Sequence, residues 1–400
     1  MTMGEGPSSA KTVVFIYGGH PNDIEIAKYS ALAFSRLGLK FETVNLADPR
    51  VAEILNPLLA TRLSDVLCFV SPNYAAANIR VGGQLLHRAT GVPLVFYLMD
   101  HPAYFLDLQI PEFEGALVFL PGQDLVEFVE DYYPPNTFAV DSREMSAPPF
   151  PLHEPRMDDF LGRRNVVLCP MNLAIWGQNM DGVWAQIQQL PAERRDGVVR
   201  LIDSALEDCF TPLHVFVQRL GFAEKIPGWH INDIKPALNF IKIWRRNHMV
   251  RELIDLPILV SSEYVPADLQ FKYPQKFTSL SIAETLPLYQ KHRFVLNASP
   301  LMTYSLHDRV MNALFGNSVA ITDPNNWTAE LMTDEEDVLI YDYAARNADK
   351  IARYIDDPEA AYRLTENAYD LRVHRNAFET VSFKNLISAV ERRRQANGLP

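Results

Sequence analysis

At 400 residues the chain exceeds what a single hydrophobic core ordinarily serves, so two domains are expected. Apolar residues make up 48% and charged residues 22%, the balance of a folded globular chain, and no apolar run approaches the roughly 20 residues that a membrane helix needs. The net charge of −12 argues against a broad contact with nucleic-acid phosphates while leaving room for a local basic pocket.

The start, MTMGEGPSSAKT, is small and polar and lacks a hydrophobic signal core, which makes a cytoplasmic location the expectation. KTVVFIYGG then reads as a strand buried on both faces, and NDIEIAKYSALAFSRLG as a helix closed by Gly38. The alternation continues with LKFETVNLA (strand), VAEILNPLLATRL (helix), DVLCFVSP (strand), VGGQLLHRATG (helix) and VPLVFYLMD (strand). GALVFLPG and NTFAVD bracket the helix QDLVEFVEDYY. Strands and helices at this pitch predict a parallel sheet covered on both faces.

SAPPFPLHEPR at 146–156 reads as an interdomain linker. NVVLCPMN resumes the strands, and from about 175 to 255 the texture turns helical: DGVWAQIQQL, GVVRLIDSALEDCFTPLHVFVQRLG and KPALNFIKIWRRNHMVRELI. PILVSS, IAETLPLYQKH, RFVLNAS, SVAITD and DVLIYDY restore the α/β pattern before a helical end. The expected organisation is a Rossmann-like acceptor-side domain over 1–150, a second Rossmann-like domain over 151–385 with a helical insertion, and a helical tail over 386–400. Ligands of open parallel sheets bind beyond the carboxyl ends of the strands, so two such domains define a cleft.

Cys68 and Cys169 lie in apolar runs and read as small hydrophobes, and neither they nor Cys209 show a zinc-ligand spacing. After the first strand, Gly18, Gly19 and His20 form a turn at a strand end, without the G-x-G-x-x-G dinucleotide fingerprint, and His20 is a candidate general base there. Ser71 and Asn73 occupy a second strand end, and Asp100 with His101 a third, where a carboxylate and an imidazole suit general-base work. Trp176, Trp184, Trp229 and Trp244 in the insertion read first as core and otherwise as an acceptor platform, with His214 and His230 structural.

The densest polar group is SLHDRVMNALFGNSVAITD at 305–323. Its helix is predicted to begin near Ser305 or Leu306, with Ser305 as N-cap and Gly316 in the left-handed position after Phe315. His307 and Arg309 then stand in the first turn, where cations are disfavoured unless an anion is held there, which points to a phosphate site. Pairing of Arg309 with Asp308 is the competing reading.

The run from Val295 to Glu379, with its spacing of Arg309, Ala313 and Gly316, resembles the donor-binding half of GT-B glycosyltransferases. It is nearest the spore-coat-maturation-like (glycosyl transferases group 1-like) family, while the N-terminal half matches in architecture only. The resemblance implies a cleft between two Rossmann-like domains, a nucleotide-diphosphate sugar as donor, an acceptor it does not identify, and no metal or other cofactor. It implies that Ser305, His307 and Arg309 hold the donor diphosphate, and that Glu330, in the loop after SVAITD, contacts sugar or ribose hydroxyls together with Thr322 and Asp323. Many retaining relatives carry glutamates where this chain has Asn312 and Ser305, and an Arg and a Lys after the second strand that SSEYVP lacks; Lys272 or Lys276 are the stand-ins. A degenerate scaffold and a sugar-nucleotide epimerase or hydrolase are the alternatives, and exposed faces of the insertion suit a homodimer.

Overall fold

The protein is described by a computed structural model covering residues 11–108, 115–133, 135–141, 153–222, 231–299, 301–305 and 307–399. Most of the linker expected at 146–156, together with Trp229, His230 and Leu306, lies outside the described residues.

Six parallel strands form the first sheet: β1 (Thr12–Tyr17), β2 (Lys40–Asn45), β3 (Val66–Pro72), β6 (Leu94–Tyr97), β7 (Leu117–Leu120) and β8 (Phe138–Asp141), in the order β2-β1-β3-β6-β7-β8. Every residue of β3, β6 and β7 is buried, as continuous apolar runs such as VLCFV require when helices cover both faces. The direction of the chain's path across the sheet reverses between β1 and β3, so the crevice opens above Gly18–His20 and Ser71–Asn73.

VGGQLLHRATG departs from its expected helix. β4 (Arg80–Val81) and β5 (Gln84–Leu85) form a small antiparallel hairpin, and only Leu86–Thr90 is helical. Gly82 and Gly83 both have positive φ, 58° and 82°, the pair of left-handed residues that a two-residue hairpin turn demands.

The second sheet is also six-stranded and parallel: β9 (Arg164–Pro170), β10 (Ile258–Ser261), β11 (Phe277–Thr278), β12 (His292–Asn297), β13 (Val319–Thr322) and β14 (Leu339–Ile340), in the order β11-β10-β9-β12-β13-β14. In sequence rank this is 3-2-1-4-5-6, the dinucleotide-binding arrangement, with its reversal between β9 and β12. The α/β class with two parallel-sheet units anticipated from the sequence is therefore borne out.

Between β9 and β10 run the helices Met180–Gln188, Ala192–Glu207, Leu213–Leu220 and Ile234–Leu253. The single helix expected over 197–221 is broken in two. The Asp208 carboxylate accepts from the Phe210 and Thr211 amides (2.7 and 3.1 Å) and from the Thr211 hydroxyl, and Pro212 lacks an amide with which to continue a ladder.

The chain ends in a 39-residue helix, Pro358–Ala396, continuous through the expected boundary at 385. Its last turns return to the first sheet: Phe383, Leu386 and Val390 share a core with Val13, Phe15, Phe34 and Phe119. Phe383 meets Phe34 edge-on at 5.0 Å, and the buried Arg394 donates to the Val66 and Leu67 carbonyls. The first unit thus borrows part of its core from the end of the chain. Leu386→Ala should leave a cavity there and cost about 2–5 kcal/mol in urea unfolding, with loss in the N-terminal unit despite the residue's position in sequence.

Candidate active site

β9 and β12 diverge at the reversal of the second sheet, and the helix that follows β12, Asp308–Phe315, starts above the gap. Its N-cap is His307 rather than Ser305. The His307 backbone is extended, and its ring Nδ1 accepts from the Arg309 amide at 3.3 Å. Ser305 is buried, stands against Gly122 of the first unit, and leaves its hydroxyl without a hydrogen-bond partner. Gly316 is right-handed at φ −75°, and Asn317 takes the left-handed turn at φ 57°. Glycine is needed at 316 for space: a Cβ would sit 2.9 Å from the Asn312 carbonyl and 3.0 Å from that of Tyr289.

Arg309 closes the gap between the strands. Its Nε donates to the carbonyl of Pro170, the last residue of β9, at 2.6 Å, and Nη1 lies 3.4 Å from the Asn297 Oδ1 at the end of β12. Asp308 pairs with the His307 ring rather than with Arg309. Burial opposes the Asp308 charge, but the His307 ring and the Arg309 guanidinium outweigh it and hold the carboxyl well below the usual range.

The loop before this helix is anchored to the first unit. Asp124 accepts from both the amide and the hydroxyl of Thr303, at 2.7 and 3.0 Å, in a fully buried contact. Burial pushes the Asp124 carboxyl up to about 6 even though the Thr303 bonds favour its charge.

A cavity of about 310 Å³ lies in the cleft, lined by His20 from the first unit and by Asn172, Ser262, Glu263, Arg309 and Asn312 from the second. Of the first-unit candidates, His20 reaches this space. Gly19, at φ 89°, would bring a Cβ within 2.6 Å of Ala47, so its glycine serves the chain's own turn; Gly18 donates its amide to Asp23. The Ser71 hydroxyl accepts from the Ala76 amide, and the Asn73 side chain accepts from the Met99 amide; both hold the turn after β3.

Asp100 and His101 point different ways. Asp100 pairs with Lys242 at 3.3 Å. His101 is buried edge-on to Phe128, and its Nδ1 accepts from the Ala103 amide. Burial, with the His214 and Lys242 charges beside it, pushes His101 down to about 3, so it stays neutral and is closed to substrate.

Thr322 and Asp323 are fully buried. Asp323 accepts from the Ser299 amide and the Tyr343 hydroxyl, and Thr322 from the Asn297 amide group, so the polar atoms expected to meet a sugar are engaged within the fold. Glu330 is exposed in the helix Asn326–Leu331, not in a loop, and is not among the residues lining the cleft cavity. Lys276 donates to the Ile254 and Leu256 carbonyls, and Lys272 lies over the Tyr273 ring, so neither stands in for the missing basic pair.

Two basic residues that sequence reading passed over lie near the segment that follows β9, though neither is among the residues lining the cleft cavity. Lys242 and Arg246, one turn apart on the helix Ile234–Leu253, face the end of β9: Arg246 Nη1 donates to the Asn172 carbonyl at 2.8 Å. The signal was their i,i+4 spacing, hidden by three further basic residues, Lys235, Arg245 and Arg251, in the same helix. Arg245 is buried structurally, against the Ala205 carbonyl and Cys209. Trp184 packs on Phe240 yet stays exposed, Trp244 stacks on His248 and is half-buried, and Trp176 is 70% exposed, so none of the three is a core aromatic. His214 bridges to Glu127 at 3.2 Å, tying the insertion to the first unit. Among the described residues no group of three or more His, Cys, Asp or Glu side chains is placed to hold a metal ion, and no helix is long and apolar enough to cross a membrane.

Residues 245–379 match the family model described as glycosyl transferase-like, which bears out the resemblance seen in the run from Val295 to Glu379. Over nearly its whole length the chain is also similar to solved structures. One is Anabaena HepE in complex with UDP-glucose, at 14% identity, covering 94% of this chain and 98% of that one with a TM-score of 0.47. Another is the sucrose-phosphate synthase of Thermosynechococcus elongatus, at 12% identity, 95% and 100% coverage and a TM-score of 0.47. A third is a glycosyltransferase of Rickettsia africae, at 10% identity, 96% and 99% coverage and a TM-score of 0.44. No curated protein matches the chain. With identities and TM-scores this low, the reading of the site stands on its residues.

His101 and Asp124 should oppose one another in the pH dependence of stability. An unfolded chain protonates His101 near pH 6.5 while the folded one waits until about 3, so its contribution falls on acidification through that window. Asp124 takes its proton at about 6 folded and near 3.8 unfolded, so its contribution grows as pH falls between those values. In thermal unfolding from pH 6.5 to 4.5, His101→Gln should flatten the decline in Tm and Asp124→Asn should steepen it.

Proposed function

We propose that the protein is a glycosyltransferase that binds a nucleotide-diphosphate sugar in the cleft, with the diphosphate against the start of the helix Asp308–Phe315. The observation that carries this reading is Arg309, fixed across the ends of β9 and β12 at the sheet's reversal point and facing a cavity closed from the other unit by His20. Amides of a helix start and a guanidinium together suit a phosphoryl anion, and the family match over 245–379 supports sugar transfer as the chemistry.

In such a transfer the bond from the sugar's anomeric carbon to the diphosphate breaks and its electrons leave with the diphosphate. An acceptor oxygen forms the new bond and gives up its proton. Arg309, held before substrate arrives, stabilises the charge that develops on the leaving group without reorganising. His20 is the first-unit base best situated to take the acceptor proton, since His101 is buried and neutral. Cationic side chains perform the neutralisation that a divalent ion would otherwise provide, which makes metal independence part of the proposal.

Thermal stability measured against UDP, GDP, dTDP, ADP, CMP and NAD, with and without magnesium, tests it. At about 100 times its dissociation constant a specific nucleoside diphosphate should add about 2.7 kcal/mol, with or without magnesium. Stabilisation by NAD alone would overturn the reading, and silence across the panel would favour a binding-only scaffold. Arg309→Ala should weaken the diphosphate by about 1.5–3 kcal/mol, and His20→Gln should lower kcat by about 100-fold or more while leaving nucleotide affinity in place.

A further inference from the structure

We infer that Trp176 and Tyr104 form an acceptor subsite beside the donor cavity, one aromatic ring from each unit, taking a sugar ring of a carbohydrate acceptor. This assignment rests on the donor reading above and names the acceptor class that reading leaves open.

The two rings arrive by different routes. Tyr104 lies in the short helical segment Pro102–Leu108, after the end of β6. Trp176 follows β9 and stands at the tip of a two-residue turn, where the Ile175 amide donates to the Gln178 carbonyl at 3.0 Å and the Gln178 amide to the Ile175 carbonyl at 2.9 Å. The rings meet edge-on, with centres 5.1 Å apart and planes at 85°. Neither lines the donor cavity. Asn172, on the same segment as Trp176, does line it and donates to the Glu263 carboxylate, also part of the lining, at 3.4 Å. The aromatic pair thus stands next to the donor's space without occupying it, as an acceptor subsite must.

Nothing in the fold calls for an indole at 176. Both central residues of the turn have positive φ, 49° at Trp176 and 76° at Gly177. Such a turn favours Asn-Gly or Gly-Gly, and a bulky side chain in its first place strains the backbone. Trp176 is also largely exposed, so no core holds it there. A strained backbone that displays a large apolar ring to solvent suits a ligand that covers the ring.

The polar groups beside the rings select that ligand. The Lys242 Nζ lies 5.7 Å from the centre of the Tyr104 ring and 3.3 Å from the Asp100 carboxylate, whose side chain is 40% exposed. The carboxylate keeps acceptor capacity beyond that one bond. A sugar presents C–H groups on its ring face and hydroxyls around its edge, so it meets the aromatic rings and the charged pair together. An acyl chain or a flat aromatic group would cover the charges without bonding them.

The test starts with an array of immobilised oligosaccharides of neutral hexoses, N-acetylhexosamines and uronic acids, with phenyl and dodecyl groups on the same linker as controls. It is run with and without the nucleoside diphosphate selected by the thermal panel. The best-bound oligosaccharide and that nucleotide are then titrated calorimetrically into wild type, Trp176→Asn, Tyr104→Ala and, as an exposed aromatic on the helix Ala267–Lys272, Phe271→Ser. Trp176→Asn and Tyr104→Ala should each weaken the oligosaccharide about tenfold or more, with less than about a twofold change for the nucleotide and none for either ligand in Phe271→Ser. Trp176→Asn gives the turn its preferred Asn-Gly pair, so its ligand-free Tm should hold or rise, whereas a structural role for the indole would lower it. Tyr104→Ala has the greater chance of unfolding; Trp176→Asn then carries the test. Wild-type oligosaccharide affinity in Trp176→Asn, binding to the phenyl or dodecyl groups in place of sugars, or nucleotide binding with no sugar bound overturns the subsite and leaves the donor reading intact. Oligosaccharide binding that depends on Trp176, without any nucleotide binding, upholds a carbohydrate site and overturns the donor reading. Binding of neither overturns both.

Discussion

Buried positive charge at the end of β9 is the constraint around which the cleft is built. Moving an ammonium or guanidinium out of water costs several kcal/mol unless oxygen atoms replace the lost solvent. Here the replacements are backbone carbonyls of Pro170 and Asn172 and the carboxylate of Asp100. Carbonyl dipoles at the carboxyl ends of parallel strands are the natural resource for this, because the strand that ends has no further partner for them. The cation positions follow from the sheet, and the sheet's order follows from chain topology.

That arrangement needs both units, and the chain ties them together by a shared apolar core, from Phe96 and Phe128 to Phe216, Leu238 and Leu301, and by polar contacts across it. Asp124 takes two donors from Thr303, His214 meets Glu127, and Lys242 meets Asp100. Each contact has one end on an element that also shapes the site: the loop before His307, the insertion, and the strand end after β6. A polar contact is sensitive to geometry in a way that apolar burial is not, so it sets the register of the two units as well as joining them. The long final helix then completes the first unit's core from the other end of the chain, which makes independent folding of the N-terminal segment unfavourable.

Much of the fold was legible because its elements are long and periodic. Runs such as VVFI, VLCFV and LVFY admit few readings other than strands buried on both faces, and their alternation with helices dictates a parallel sheet. The failures were local. Gly82 and Gly83 look like a weak helix start, yet their left-handed freedom selects a hairpin; Asp208 looks like a helical residue, yet its short side chain captures the amides ahead of it. At 305–323 the sequence placed Arg309 in the first turn, and it lines the cavity, but it made Ser305 the cap where His307 stands. An N-cap is decided by where the backbone turns, and Asp124 fixes that turn from 179 residues away.

The site's other misses share one cause. Asp323 and Thr322 came from the family resemblance and His101 from its place at a strand end, and strand ends in this fold hold two populations of polar side chain: those that face the cavity and those that satisfy the loops. Asp323 belongs to the second, holding Ser299 and Tyr343 in place beneath the loop that carries Thr303. Other polar contacts come from far away in sequence: the helix inserted between β9 and β10 folds back over the end of β9, and its Arg246 donates to the Asn172 carbonyl. A pattern along the chain cannot separate these populations; the separation is made by which side chains have spent their hydrogen bonds on the protein itself. By that criterion Thr322 and Asp323 have spent theirs, on Asn297, Ser299 and Tyr343.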